Sequence, residues 1–416
     1  MGDAGPPCVI HVACPPCREQ DGRKDMEQQN SIIEEIERKR PVDVAKIERE
    51  LAELWKAAAS SKEGGGEAVT RVCLLNLLIY TSDEDQAATL GATIATVTEH
   101  APCRAMVLVG NLKNPDSHTE AWISSHCHLT QNRQQVCCEE IRVTSSGKAL
   151  EHLSDTIAPL LVADLPTFLW WQDAHALSQP LFQGFLKQVN RIIVDSGQLT
   201  HRNQEFRHQA EIILNSRHQA AFSDLNWARL TVWEELIASF FDAPEMHVYL
   251  KRMNKVTITY SFNGELEGAP IRTLFLVSWL ANRLSWKLKD AVEVSPQHLE
   301  FRFRSPYTRL QLEIVPETNT NFPSTVITAV TLSTAGEKPA TFEVRRRAPK
   351  EKEDVFETHV VITDGASVDR VVSSHRPHDA DLIAHEVEIF GRDRAYEEAV
   401  KSTLSLIEEI QAELLV

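Results

Sequence analysis

The stretch VADLPTFLWWQD, residues 162–173, carries the reading of the fold. Its apolar end, Thr167 to Trp171, closes on two adjacent tryptophans. Successive side chains of a strand point to opposite faces, so Trp170 and Trp171 cannot fill the same core. Either helices cover both faces of this strand, or one indole is held out as a contact for another molecule.

The flanking sequence bears on that choice. RVCLLNLLIY (71–80) is a near-continuous apolar strand, and residues 84–100 have a helical pattern. CRAMVLVG (103–110) and QVCCEEIRV (135–143) are further strands, and a helix is expected over 148–161. TFLWW (167–171) follows, then a helix near 180–190 and the strand RIIVDS (191–196). Apolar strands alternating with helices imply a mainly parallel sheet covered on both faces. In that arrangement both indoles are buried. The alternative keeps Trp170 or Trp171 as a partner contact, since exposed aromatic residues anchor many interfaces.

SDLNWARLTVWEELIASFFDAP (223–244) has Trp227, Leu230, Trp233, Ile237 and Phe240 at helical spacing, which predicts one long amphipathic helix stopped by Pro244. Beyond residue 250 the texture changes. KVTITYSF is a strand and IRTLFLVSWLANRLSW a helix. LEFRFRS, RLQLEIVPE, STVITAVTLS, TFEVRRR and ETHVVITD then alternate, as half-solvated antiparallel strands do. Two helical stretches, near 379–389 and 393–413, close the chain. The expected fold class is α/β: an N-terminal, mainly parallel sheet covered by helices, followed by an α+β domain with an antiparallel sheet. The expected division is a flexible tail, docking helix and linker over 1–66, an α/β domain over 67–245, and an α+β domain over 246–416. In the docking helix Ile47, Leu51, Leu54 and Trp55 share a face, and SSKEGGGE (60–67) reads as the linker.

Composition narrows the function. Of 416 residues, 43% are hydrophobic and 25% charged, as in soluble globular proteins. Lys and Arg number 43 against 59 Asp and Glu, a net charge of -16, which opposes general nucleic-acid binding. The apolar runs are shorter than the roughly 20 residues that span a bilayer, and the N-terminus lacks a secretory pattern. A cytoplasmic protein with no membrane contact is expected. All eight cysteines lie in the first third, which argues against a secreted disulfide framework.

Motifs for chemistry are sparse. SSGKAL (145–150) lacks the earlier glycine of a phosphate loop, and HEVEIF (385–390) lacks the second histidine of a zincin. No cofactor is expected. CPPC places Cys14 and Cys17 at dithiol spacing, a candidate redox pair. His126, Cys127, His128, Cys137 and Cys138 have the composition of a zinc or thiol-hydrolase site, but Cys137 and Cys138 fall on opposite faces of a strand.

Several of these stretches, in order from about residue 40 onward, resemble the glucose-6-phosphate dehydrogenase assembly protein family, OpcA. They are RVCLLNLLIY, HAPCRAMVL, SSHCHL, QVCCEEIRV, APLLVADLPTFLWW, RIIVDS, FSDLNWARLTVWEELIASFFD, VSWLANRLSW and FGRDRAYEEAV. The resemblance implies a non-catalytic partner that binds glucose-6-phosphate dehydrogenase and favours its active oligomer. It also implies thioredoxin as a further partner, through the thiol control of photosynthetic relatives, although CPPC lies outside the matching stretches.

Overall fold

Apolar strands with no polar face fold only where both faces are covered, and this chain supplies the covers from widely separated segments. In the computed structural model, the described residues are 44–60, 70–129, 135–173, 177, 179–200, 202–216, 219–264, 269–348, 353–363, 365 and 367–413. The first half runs α1 (Val44–Ser60), β1 (Thr70–Arg71), β2 (Leu75–Thr81), α2 (Glu84–His100), β3 (Cys103–Asn111), β4 (His118–Leu129) and β5 (Gln135–Ser146). Then come α3 (Lys148–Glu151), α4 (Leu153–Ile157), β6 (Thr167–Trp171), α5 (Pro180–Leu186), β7 (Arg191–Val194), α6 (Arg202–Ser216) and β8 (Ala221–Asp224). Short helices α7 (Leu225–Ala228), α8 (Thr231–Ser239) and α9 (His247–Arg252) lead to the second half. That half holds β9 (Met253–Ser261), α10 (Ile271–Arg283), β10 (Lys287–Ser295), β11 (His298–Arg304), β12 (Arg309–Glu317) and β13 (Ile327–Thr334). It ends with β14 (Ala340–Arg346), β15 (Glu353–Ile362), β16 (Ser367–His375), α11 (Asp379–Glu388) and α12 (Arg394–Glu413).

The first sheet has the order β1-β5-β3-β2-β6-β7-β8, with β4 antiparallel to β5 and every other pairing parallel. From β5 to β8, and numbered by appearance, its six long parallel strands stand 3-2-1-4-5-6, the order of a doubly wound nucleotide-binding sheet. The second sheet runs β10-β11-β12-β9-β13-β14-β15-β16, antiparallel except where β12 pairs β9. The expected fold class therefore holds.

Alternation along β6 settles the tryptophan question. Leu169 and Trp171 belong to one core, and Phe168 and Trp170 to another on the opposite face. The Trp171 core is roofed by Leu153 and Ile157 of α4, Phe182 and Phe185 of α5 and Phe206 of α6, and it continues into the core under the second sheet. The Trp170 core is closed by Leu90, Ile94 and Val97 of α2 together with Leu382, Ile383 and Val387 of α11. A helix from near the end of the chain thus completes the first sheet. The buried Arg191 of β7 secures it, donating to Ser223 Oγ and to the carbonyl of Gly391, with Glu386 at 3.6 Å.

Four local expectations are corrected. The run RVCLLNLLIY is divided: Arg71 ends β1 beside β5, while Leu75 opens β2 at the sheet centre. Strand β4, helix α6 and strand β8 stand where no element was expected. The expected long helix of 223–244 starts later and is divided: Asp224 closes β8 and its carboxylate caps α7 through the amide of Asn226 (2.8 Å), and a break at Arg229 and Leu230 separates α7 from α8. Strands β10 and β16 add the two edges of the second sheet. In α1, Ile47 and Leu51 are buried.

The shared core predicts one cooperative unit. Ile383→Ala removes a fully buried side chain and is expected to cost about 2–5 kcal/mol. Urea unfolding followed by fluorescence and circular dichroism should shift as a single transition. Two separated transitions in the variant, with only the second displaced, would show that α11 does not hold the first sheet.

Candidate functional site

In a doubly wound sheet a ligand sits beyond the C-terminal ends of the strands where the order reverses, here between β2 and β6. A nicotinamide dinucleotide needs a tight glycine turn and free amides at the following helix N-terminus. The chain presents Thr81-Ser82-Asp83-Glu84-Asp85 instead. The carboxylate of Asp83 caps α2, accepting from the amides of Asp85 (2.9 Å) and Gln86 (3.2 Å). Glu84 and Asp85 fill the first turn, and Ser82 Oγ donates to Asp173 Oδ1 at 2.9 Å. A pyrophosphate would meet carboxylates where the fold elsewhere offers amides, so these residues do not fit a dinucleotide.

Aromatic packing closes the same crevice from within. Tyr80 stacks on Trp171 with centroids 4.1 Å apart, and Phe182 meets the indole edge-on at 5.1 Å. The indole N–H donates to the carbonyl of Asp173 at 2.7 Å. A Cβ at Gly110 would stand 2.5 Å from the Tyr80 hydroxyl, so β3 needs glycine there. Trp170 and Trp171 are 3% and 1% exposed. With that burial, a partner reaches either indole only if the covering helices open.

A second site lies past the ends of β7 and β8. Asp195 and Asp224 close these strands, and Asp224 Oδ1 accepts from the amides of Ser196 (3.0 Å) and Asn226 (2.8 Å). Asn226 passes the network on, its Oδ1 accepting from Arg272 Nε at 2.8 Å. Asp195 takes both arms of Arg229 at 2.9 Å, and Arg229 also meets Asp379 of α11 at 2.7 Å. Beyond this network lies a cavity of about 490 Å³. Arg229, Arg272, Arg346, Arg376, His375 and His385 line it, with Asp354 and Asp381 and the aromatic walls Trp233, Phe322 and Phe356. Asp354 is shared by two guanidiniums, accepting from Arg346 and from Arg376 Nε (2.9 Å). Desolvation and the neighbouring Arg229 and Arg346 hold the Arg272 guanidinium down at about 10. Burial, with Asp195 beside it, pushes the Asp224 carboxyl up to about 7.

The other sequence candidates fall elsewhere. Cys14 and Cys17 lie outside the described residues. In the β4–β5 ladder Cys127 pairs with Cys137 and His126 with Cys138, a statement about backbone register. Among the described residues no three His, Cys, Asp or Glu side chains group as a metal site, and no described helix is long and apolar enough to cross a membrane. Sequence reading missed the basic cavity, whose residues come from six distant segments. The only local trace was the run RRRAPKEKED, which reads equally well as a solvated strand end.

Two family profiles match the chain. Residues 95–211 match the glucose-6-phosphate dehydrogenase subunit N-terminal domain, and residues 220–400 match the corresponding C-terminal domain. Two curated relatives carry the name "Putative OxPP cycle protein OpcA". One, from a Synechocystis species, is 31% identical over 199 residues, covering 47% of this chain and 40% of that protein. The other, from Nostoc punctiforme, is 25% identical over 334 residues, covering 63% of this chain and 70% of that protein. The alignment thus spans less than half of the Synechocystis relative's length. Among solved structures, an oxidoreductase from Sinorhizobium meliloti is 9% identical with a TM-score of 0.49, over 81% of this chain and 97% of that one. A super-repressor mutant of Gal80p from Saccharomyces cerevisiae is also 9% identical, at 0.45 over 82% and 96%. At that distance neither bears on activity.

Two predictions follow from this geometry. Trp171→Ala and Trp170→Ala should each lower unfolding free energy by about 3–5 kcal/mol, measured by urea denaturation, while the folded fraction keeps its binding properties. Lost binding at undiminished stability would identify the altered ring as a contact. For Asp224, the folded carboxyl titrates above its unfolded value, so its contribution favours folding at low pH and is lost as pH rises to about 7. Asp224→Asn keeps the two amide bonds without the charge. Between pH 4 and pH 7 its stability should rise relative to wild type; parallel pH profiles would refute this.

Proposed function

The chain belongs to the OpcA family of glucose-6-phosphate dehydrogenase subunits, and from that premise we propose that it is a non-catalytic, cytoplasmic partner of that dehydrogenase. It binds the enzyme, favours its active oligomer and so supports the oxidative pentose phosphate pathway. The observation that carries the non-catalytic part is the occupied switch point. Asp83 holds the amides that a cofactor phosphate would take, and the Tyr80–Trp171 stack fills the space beneath. A nucleotide-binding sheet whose crevice is sealed by its own side chains serves as a scaffold for surfaces.

An effector of this kind acts only through a difference in affinity between two states of its partner. A coupling of about 1–3 kcal/mol corresponds to a change of roughly 5- to 150-fold in apparent substrate affinity. The contact lies on exposed surface and leaves the two buried indoles in place. Thiol control is the finer part of the proposal: the Cys14–Cys17 dithiol closes to a disulfide under oxidant, and thioredoxin reopens it by dithiol exchange.

Purified chain mixed with glucose-6-phosphate dehydrogenase should co-elute with it and lower its apparent KM for sugar phosphate within that range. The chain alone should turn over nothing. Absence of a complex, or turnover by the isolated chain, overturns the reading. Running the same mixture with a Cys14→Ser, Cys17→Ser double variant under oxidant and reductant tests the thiol step; equal responses of wild type and variant would dismiss it.

A further inference from the structure

The basic cavity has no part in that reading, and its chemistry is unusual for so acidic a chain. Four guanidiniums and two carboxylates line its walls, and behind the wall Arg229 is paired with Asp195 and Asp379. The two carboxylates do not neutralise what surrounds them. Asp354 is divided between Arg346 and Arg376. Asp381 is taken up at the N-terminus of α11, accepting from the amide of His378 at 2.8 Å, with His375 at 3.7 Å. Arg272 has a neutral acceptor, Asn226 Oδ1, as its hydrogen-bond partner among the described contacts.

Hydrogen bonding sharpens the point. Arg346 Nε and Arg376 Nη2 are buried and meet no acceptor among the described residues. Leaving a buried donor unpaired is costly, the more so when it is charged. Two such donors on the wall of one cavity, beside Arg272, whose hydrogen bond goes to a neutral amide, describe a site built for acceptor oxygens carrying negative charge.

We propose that this cavity binds a small molecule through a phosphate-monoester dianion, held between Arg272, Arg346 and Arg376. The tetrahedral group offers three acceptor oxygens to donors arriving from α10, β14 and the segment after β16, which a planar carboxylate does not match. The rest of the ligand lies along Trp233 and Phe356. A volume of about 490 Å³ suits a compact phosphorylated metabolite. The walls come from both halves of the chain, so an occupied cavity also ties the second sheet to α8 and α11.

The test uses the full chain, without any dehydrogenase, so its outcome is independent of the partner reading. Isothermal titration with inorganic phosphate and with phenyl phosphate, at constant ionic strength set with chloride, should give saturable binding. Arg272→Gln and Arg376→Gln should each weaken it by about tenfold or more. Arg302→Gln, whose side chain is 64% exposed on the second sheet, should leave it unchanged. Arg376→Gln removes a partner of Asp354, so its fold is checked by circular dichroism. Arg272→Gln removes a hydrogen bond to a neutral amide and a charge near Asp195 and Asp224; its fold is checked in the same way, and it carries the test if Arg376→Gln unfolds. No saturable binding, equal loss in Arg302→Gln, or tighter binding of succinate than of phosphate would each overturn the assignment.

Discussion

Covering both faces of one parallel sheet is the constraint on which this molecule depends. Residues of β2, β3, β6 and β7 are buried on both sides, and no single contiguous segment supplies both covers. On one face α4, α5 and α6 follow from the local βα alternation. On the other, α2 shares the work with α11, which arrives only after the whole second sheet. Burying that interface stabilises through apolar area, while the Arg191 bonds to Ser223 and the Gly391 carbonyl give it a fixed position. Such a buried charge contributes specificity more than net stability, because desolvating it offsets most of the Coulombic gain.

From this arrangement the placement of polar residues follows. With α11 drawn back onto the first sheet, the ends of β7 and β8 face α10 and the inner part of the second sheet. A dry seam there would strand the strand-end carboxylates Asp195 and Asp224, so Asn226, Arg229 and Arg272 thread between them. Arg346 and Arg376 join it where the network opens into the cavity. A cavity lined by four guanidiniums thus lies within a chain of net charge -16. At the reversal point of the sheet the polarity is opposite, with Asp83, Glu84 and Asp85 gathered at one helix start.

How far the sequence could be read depended on whether the signal was local. Alternation in LEFRFRS and TFEVRRR is a property of neighbouring residues, and those strands formed as expected. The adjacent indoles of TFLWW demanded two covered faces, and two were found. Position in the sheet is not local, so the split of RVCLLNLLIY between an edge and the centre left no trace in its composition. Nor did the break at Arg229 and Leu230: the apolar spacing from Trp227 to Trp233 continues across it, although α7 ends at Ala228 and α8 begins at Thr231. Strand β16, mostly exposed, lacks the apolar face that reveals a strand. The cavity was the least legible, since its arginines run from Arg229 to Arg376 and meet only through the return of the chain.

The late arrival of α11 also has a consequence for biosynthesis. The ribosome delivers Asp224, the end of the first sheet, well before Asp379 opens the closing helix. At about 5–20 residues per second this interval lasts on the order of ten to thirty seconds. Throughout it the Phe168–Trp170 side of the nascent sheet has only α2 above it, leaving an oily surface that an unfinished neighbour on the same messenger can find. A chaperone that shields apolar patches therefore has a defined task here, and it ends when α11 has cleared the exit tunnel.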